Sequence, residues 1–276
     1  MSFSKIAILG PGLLGGSVAL AAQIAGFEVI LWGRNPERVE AAKALGLEAT
    51  SDLEAAVSGA ELVVLAVPVG VMGDLAGRIA PLLKPEALVT DVGSVKALPH
   101  EVAAGLPFIG SHPMAGSEQT GIEAARGDLF QGAACVVTNA GGLAGESVSK
   151  LRSFWEVLGC EVHLMSVSDH DRAVARISHL PHAMAVVTAS AALRFPADAA
   201  LAAGGYRDTT RVASGDPAMW AEIMMENRAA LKAALEDAQK EIGEMLDRLA
   251  GSDKKGLQDY LAEVKVRKET PIILHE

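Results

Sequence analysis

An α/β domain built on a mostly parallel sheet, followed by an all-helical domain, is the architecture this sequence predicts, on three observations. Short, uninterrupted apolar runs alternate with helical stretches over the first 165 residues. A glycine-rich turn joins the first run to the first helix. From residue 166 onward the runs cease and helical patterning continues to the end. Uninterrupted apolar strands are those buried on both faces, the condition of parallel strands covered by helices on either side. The expected domains are 1–165, α/β, and 166–276, all-α.

The apolar runs are KIAILG (5–10), FEVILW (27–32), ELVVLAV (61–67), ALVTDV (87–92), FIGSH (108–112), ACVVT (134–138) and EVHLM (161–165). The first stops at GPGLLG, Gly10 to Gly15, which opens an apolar helix from Leu13 to Ala25. Strand, glycine turn and helix in that order let a pyrophosphate approach the helix N–H groups closely, because no Cβ stands in the way. A lone glycine pattern is common in ordinary turns; this setting makes it a dinucleotide site and the first domain a Rossmann dinucleotide-binding domain. Gly10, Gly12, Leu13, Leu14 and Gly15 are the expected cofactor residues, with Pro68 after the third run. The second run ends in Gly33-Arg34-Asn35, where a carboxylate would otherwise hold an adenosine ribose 2′-OH. A guanidinium pairs with a 2′-phosphate, so Arg34, with Asn35 beside it, favours NADP, NAD being the second choice. An ordinary exposed arginine is the alternative.

After FIGSH comes GSHPMAGSEQTG, residues 110–121, with glycines at 110, 116 and 121 and Pro113. It has neither helical period nor strand alternation and reads as a shaped loop near the carboxyl ends of the strands, where open α/β sheets bind ligands. His112 in it is either a working residue or a solvated turn histidine. Ser94, in DVGSVK, reads as the N-cap of a short helix starting near Val95. The helical domain opens with Ser166 and Asp169 at capping-box spacing. In ISHLPHAM, Ser178 and His182 stand i, i+4 on one helix face, and Pro181 predicts a kink around Ile177. Asp216 and Pro217 are N-cap and N1 of a later helix. Beyond them Leu231, Leu235, Ala238, Ile242, Met245 and Leu249 recur at spacings of four and three, a heptad seam that packs either inside the domain or against a second copy.

Half of the residues are apolar and 4% aromatic, enough for a large aliphatic core across two domains. The net charge of −10 opposes attachment to nucleic acid or anionic lipid, so an anionic ligand has to be held by a local cluster of cations or helix N-termini. Cys135 and Cys160 lack CxxC spacing, which suits a reducing compartment and predicts neither disulfide nor metal site. MSFSKIAILG is too short an apolar lead for a secretory signal. The stretch from Leu62 to Gly73 contains Pro68 and falls far below the roughly 20 residues of a membrane span, so a cytoplasmic protein is the expectation.

GPGLLGGS at 10–17, DVGSVK at 91–96, GSHPMAGSE at 110–118, SHLPHA at 178–183 and GYRDTTRVASGDPAMW at 205–220 stand in this order. Together they resemble the prephenate and arogenate dehydrogenase family of tyrosine biosynthesis over nearly the whole chain. The resemblance implies an oxidative decarboxylation: a cyclohexadienyl substrate loses hydride to a nicotinamide, and CO₂ leaves as the ring becomes aromatic. It implies that His112 accepts the proton of the 4-hydroxyl, as a neutral imidazole can, and that Ser94 works beside it near the nicotinamide. An unperturbed imidazole would set the acid limb of activity at about pH 6.5. Ser178, His182 and Arg211 are implied to bind substrate, Arg211 at a carboxylate. Glu118, with Gln119 and Glu123, is the candidate for the side-chain subsite, where a carboxylate favours arogenate, which carries an amine in place of the keto group of prephenate. Aromatisation drives the loss of CO₂, so no metal is needed.

The family's intertwined helical dimers favour the seam as a homodimer interface, with Tyr206, Arg207 and Asp208, in a Gly-flanked loop, reaching the partner's cleft. Two other readings compete. A β-hydroxyacid dehydrogenase shares the architecture but needs a catalytic lysine in the helical half, and none occurs between Lys150 and Lys232. A noncatalytic NADP sensor would have no use for His112 together with Ser94, His182 and Arg211.

Overall fold

The computed structural model describes residues 3–116 and 119–270. Residues up to Arg228 form one compact unit and those from Ala229 a second. The first begins with β1 (Lys5–Leu9), α1 (Leu13–Ile24), β2 (Glu28–Trp32), α2 (Pro36–Ala44), β3 (Ala49–Thr50), α3 (Leu53–Val57), β4 (Leu62–Leu65), α4 (Met72–Ile79) and β5 (Leu88–Asp91). These strands make a parallel sheet in the order β3-β2-β1-β4-β5. Four of them coincide with apolar runs; β3, at two residues, is too short for a pattern to reveal. Ile6, Ile8, Leu31 and Val64 enter the core on one face of the sheet, and Ala7, Leu9, Ile30 and Val63 that on the other. Alternate residues therefore go to opposite, equally dry faces, which is why the runs carry no polar alternation. Burial of each large side chain contributes about 1.5–3 kcal/mol.

The α/β half is completed by α5 (Ala97–Val102), β6 (Gly110–Pro113), β7 (Ala134–Thr138), α6 (Gly145–Val157) and β8 (Glu161–Leu164). Residues 107–109 run beside β5, with the Val89 N–H donating to Pro107 and the Ile109 N–H to Val89, both at 2.9 Å. β6 then pairs antiparallel with β7, which pairs parallel with β8. His112 thus stands in a strand, opposite Val136, and not in the loop that the glycines predict. The reason is tertiary. The Ser111 N–H donates to Asp91 at 3.0 Å, and its carbonyl accepts from Lys96 Nζ at 2.7 Å. Its hydroxyl lies 2.7 Å from that of Thr90 and accepts from Trp155 Nε1 at 2.9 Å. Asp91 and Lys96 are themselves an ion pair whose side chains are wholly buried.

Next come α7 (Val167–Val174), a π turn at Ala175–His179, α8 (Leu180–Ala192), α9 (Gly204–Thr210) and α10 (Pro217–Glu226). Ser166 caps α7 by accepting from the Asp169 N–H, and Asp216 caps α10 from the Met219 N–H with Pro217 in the first turn. Pro181 brings no N–H to the ladder, and the widening of the turn just before it takes up the mismatch; the irregularity expected as a kink at Ile177 is this π turn. Tyr206, Arg207 and Asp208 lie in a helix, α9, and not in a loop. The second unit is made of α11 (Arg228–Ala250), whose first residue closes the first unit, and α12 (Lys254–Glu269). Within it Tyr260 donates to Glu241 at 2.8 Å, and Arg248 stands 4.9 Å over the Tyr260 ring. Leu231 is buried, whereas Ile242, Met245 and Leu249 further along the seam are exposed. Among the described residues no helix is long and apolar enough to cross a membrane.

Candidate active site

The turn between β1 and α1 is shaped by backbone approach. Gly10 has φ +129°, and a Cβ there would lie 2.2 Å from the Ala66 carbonyl oxygen, so only glycine fits. A Cβ on Gly15, in the first turn of α1, would lie 2.0 Å from the Gly10 carbonyl. Over Gly12 there is nothing within 4 Å, and no side chain caps α1, which begins with Leu13 and Leu14. The adjoining cleft has a volume of about 460 Å³, and Gly10, Gly12, Arg34, Asn35 and Pro68 all line it. It adds two arginines that the sequence reading missed, Arg38 and Arg78, against one lining carboxylate, Asp74. Arg78 stands 5.8 Å over the Trp32 ring. The Asn35 oxygen is committed to capping α2, accepting from the Glu37 N–H at 2.8 Å. Open space at a bare helix N-terminus, with three arginines nearby in an acidic chain, fits a dinucleotide.

His112 belongs to a buried chain of polar groups. Its Nδ1 lies 2.8 Å from His170 Nε2, and His170 Nδ1 lies 2.8 Å from Asp171 Oδ1. The Asp171 carboxylate accepts from the backbone N–H groups of Lys96 at 2.8 Å and Ala97 at 3.0 Å. Those are the first amides of α5, which starts at Ala97 with Lys96 in the cap position. Ser94 is therefore not the N-cap expected of it: the acceptor comes from across the fold, and Ser94 sits half-buried in the turn between β5 and α5. On the other side, Asn227 donates to the Asp171 carbonyl at 2.7 Å and lies 3.2 Å from His179 Nδ1.

Burial drives the charges here. It pushes the His112 imidazole well below its ordinary pKa, and the Lys96 cation and the rings of His170 and His179 push the same way. The His112 imidazole is thus not the unperturbed group for which a value of about 6.5 is expected. Burial opposes the Asp171 charge, but hydrogen bonds from His170 and from the Lys96 and Ala97 amides outweigh it and leave the pKa lowered. His179 is brought down to about 4, chiefly by burial.

The helical elements supply the remaining candidates. The His182 ring is stacked on Trp220 with centroids 3.5 Å apart at 12°, and its buried Nδ1 has no hydrogen-bond partner among the described residues. A Cβ on Gly215 would lie 2.5 Å from Trp220 Nε1, so this glycine makes room for the indole. Ser178 is half-buried in the π turn, and Arg211 opens the exposed turn Arg211–Ser214 that packs on α8. Glu123 is exposed, and Glu118 lies outside the described residues. His170, Asp171 and Trp220 escaped the sequence reading. The adjacent His and Asp in SDHDR, one turn into a capped helix, were the available signal.

Two family models match the chain: "Prephenate dehydrogenase, nucleotide-binding domain" over residues 18–164, and "Prephenate dehydrogenase, dimerization domain" over 166–263. The chain belongs to the prephenate dehydrogenase family. The cyclohexadienyl dehydrogenase of Zymomonas mobilis is 34% identical over 274 residues, covering 95% of this chain and 92% of that one. The prephenate dehydrogenase of A. aeolicus, solved with hydroxyphenyl propionate and NAD+, matches with a TM-score of 0.90 and 30% identity over 97% of this chain and 98% of that one. Synechocystis arogenate dehydrogenase matches with a TM-score of 0.85 and 31% identity over 96% and 99%. The motif resemblance seen in the sequence is thus a family membership over both halves, with the nucleotide-binding half first.

Proposed function

We propose that this chain oxidatively decarboxylates prephenate or arogenate with NADP, giving 4-hydroxyphenylpyruvate or tyrosine and CO₂. The observation that carries the reading is His112, buried on β6 with its pKa pushed well below the ordinary imidazole value and its Nδ1 engaged by His170 Nε2 at 2.8 Å. A neutral imidazole accepts the 4-hydroxyl proton at Nε2 while the carbinol C–H bond breaks, and no charge has to be created beforehand in a dry site. The nicotinamide, when bound, accepts the hydride. The carboxylate leaves without covalent help, because the ring it leaves becomes aromatic.

The other residues orient and bind. The space over Gly12 at the N-terminus of α1 suits the pyrophosphate, and Arg34, with Arg38 and Arg78 in the same cleft, supports a 2′-phosphate and hence NADP. The Ser94 hydroxyl is assigned beside the reacting centre. His182, through its unpartnered Nδ1, Ser178 and Arg211 are assigned to the substrate's polar groups, with Trp220 as an apolar backing for His182. Glu118 keeps the side-chain subsite and with it a preference for arogenate. The working form is a homodimer through the C-terminal helices, which the exposed apolar residues of α11 and the name of the second family model support.

The test is an assay of purified protein with NADP or NAD and with prephenate or arogenate, followed at the nicotinamide absorbance. Reduction of NADP with both substrates, faster with arogenate, is expected. No reduction of either cofactor with either substrate contradicts the reading.

A further inference from the structure

We propose that His112, His170 and Asp171 form a proton relay, in which Asp171 and His170 fix the His112 tautomer and take up the positive charge created at the reacting end. This rests on the reading of His112 as the base. The direction of every hydrogen bond follows from the fixed end. Asp171 holds two backbone amides on its two oxygens and, as a carboxylate, can only accept, so His170 donates to it from Nδ1. His170 Nε2 is then unprotonated and accepts from His112 Nδ1 at 2.8 Å. His112 therefore keeps its lone pair on Nε2, the tautomer a base needs. Asn227 presents only N–H to His179 Nδ1, so His179 carries its proton on Nε2 and does not compete for the carboxylate.

The charges around the chain favour moving the cation. The Lys96 ammonium, itself paired with Asp91, and the rings of His170 and His179 act on the His112 imidazole, and the Cys135 thiol meets the His112 backbone; among the described residues no carboxylate is among the groups that act on the ring. His170 touches Asp171. When the O–H bond of the substrate breaks, its proton goes to His112 Nε2 and the electron pair stays on oxygen. The Nδ1 proton of His112 passes to His170 Nε2, and an imidazolium results against an ionised Asp171. One proton enters the pair of rings, none is lost, and Asp171 stays ionised throughout. His170 and Asp171 are thus positioning residues, acting through His112.

Nitrogen-15 NMR of histidine-labelled protein tests the first half without any substrate. His112 and His170 protonated on Nδ1 and bare on Nε2 at pH 7.5 are expected; His112 protonated on Nε2 overturns the relay while leaving the proposed reaction to its own assay. Kinetics test the second half. Asp171→Asn should lower kcat about 10²-fold or more at every pH while the KM for NADP changes less than threefold, and should move the acid limb of kcat/KM to still lower pH. His170→Gln, whose side-chain oxygen can accept from His112 Nδ1 but cannot take a proton onward, should recover part of the activity lost in His170→Leu. Parental kcat and pH profile in folded Asp171→Asn, or His170→Leu as active as His170→Gln, overturns the proposal.

Discussion

At the residue scale the polar groups of this fold are used in two ways, and single substitutions separate them. Arg34 lines the cofactor cleft, so Arg34→Ala should weaken NADP binding by about 1.5–3 kcal/mol, the cost of a charge-assisted hydrogen bond, and leave NAD nearly unchanged. Calorimetric titration with both cofactors reads this directly; an equal loss for both would show that Arg34 does not meet the 2′-phosphate. Lys96 is different, because its ammonium is wholly buried against Asp91 and the Ser111 carbonyl. Lys96→Met strands the Asp91 carboxylate in the core and should cost about 3–5 kcal/mol in urea unfolding. A loss below about 1 kcal/mol would mean that Asp91 finds another partner. The sequence announces Arg34, since it stands where a strand end and a missing carboxylate draw attention. It hides Lys96, His170 and Asp171 more deeply, because Ser111, His112 and Lys96, the partners that tie them into the site, are 15, 58 and 75 residues away, respectively, and locally only the adjacent His and Asp of SDHDR mark the place.

At the element scale, legibility tracks how local the cause of each element is. The strands β1, β2, β4 and β5 follow from continuous apolar runs, and the caps of α7 and α10 from their own first residues. β6 overlaps only the end of the run FIGSH: pairing with β7, and four side chains from β5, α6 and the segment before α5 that hold Ser111, extend the strand into GSHP. The π turn at Ala175–His179 is a compromise between Pro181 and a helix that continues, which a residue pattern shows only as a kink. The helix that carries the seam, α11, follows from the seam's own spacing, and the outer half of the seam is exposed in the single chain. In the proposed homodimer Leu235→Glu with Ile242→Glu should cause dissociation, because charges would enter the seam that the interface buries. Light scattering at micromolar concentration checks this, and a monomeric parent chain would remove the seam's role.

At the scale of the whole molecule, burial of neutral histidines ties stability to pH. His100, His112, His179 and His182 all have lowered pKa values, in each case chiefly through burial. Between about pH 6.5 and the lowered values the unfolded chain binds more protons than the folded one, so stability falls as the pH drops through this window and is unaffected above it. Glu226, raised to about 7 by burial and by Glu222, has the opposite sign and offsets one group of the four. The Tm should therefore decline from pH 6.5 to 5, and a flat or rising Tm would contradict the burial of these rings. The proposed role of His112 as base requires the same neutral state, and the most direct measurement is turnover of prephenate and arogenate by His112→Asn beside the parent enzyme. Asn keeps a polar side chain of similar size on β6 but cannot take the hydroxyl proton. NADP binding should be retained and kcat should fall about 10²–10⁴-fold; turnover within a few-fold of the parent would contradict the assignment of His112 as the base.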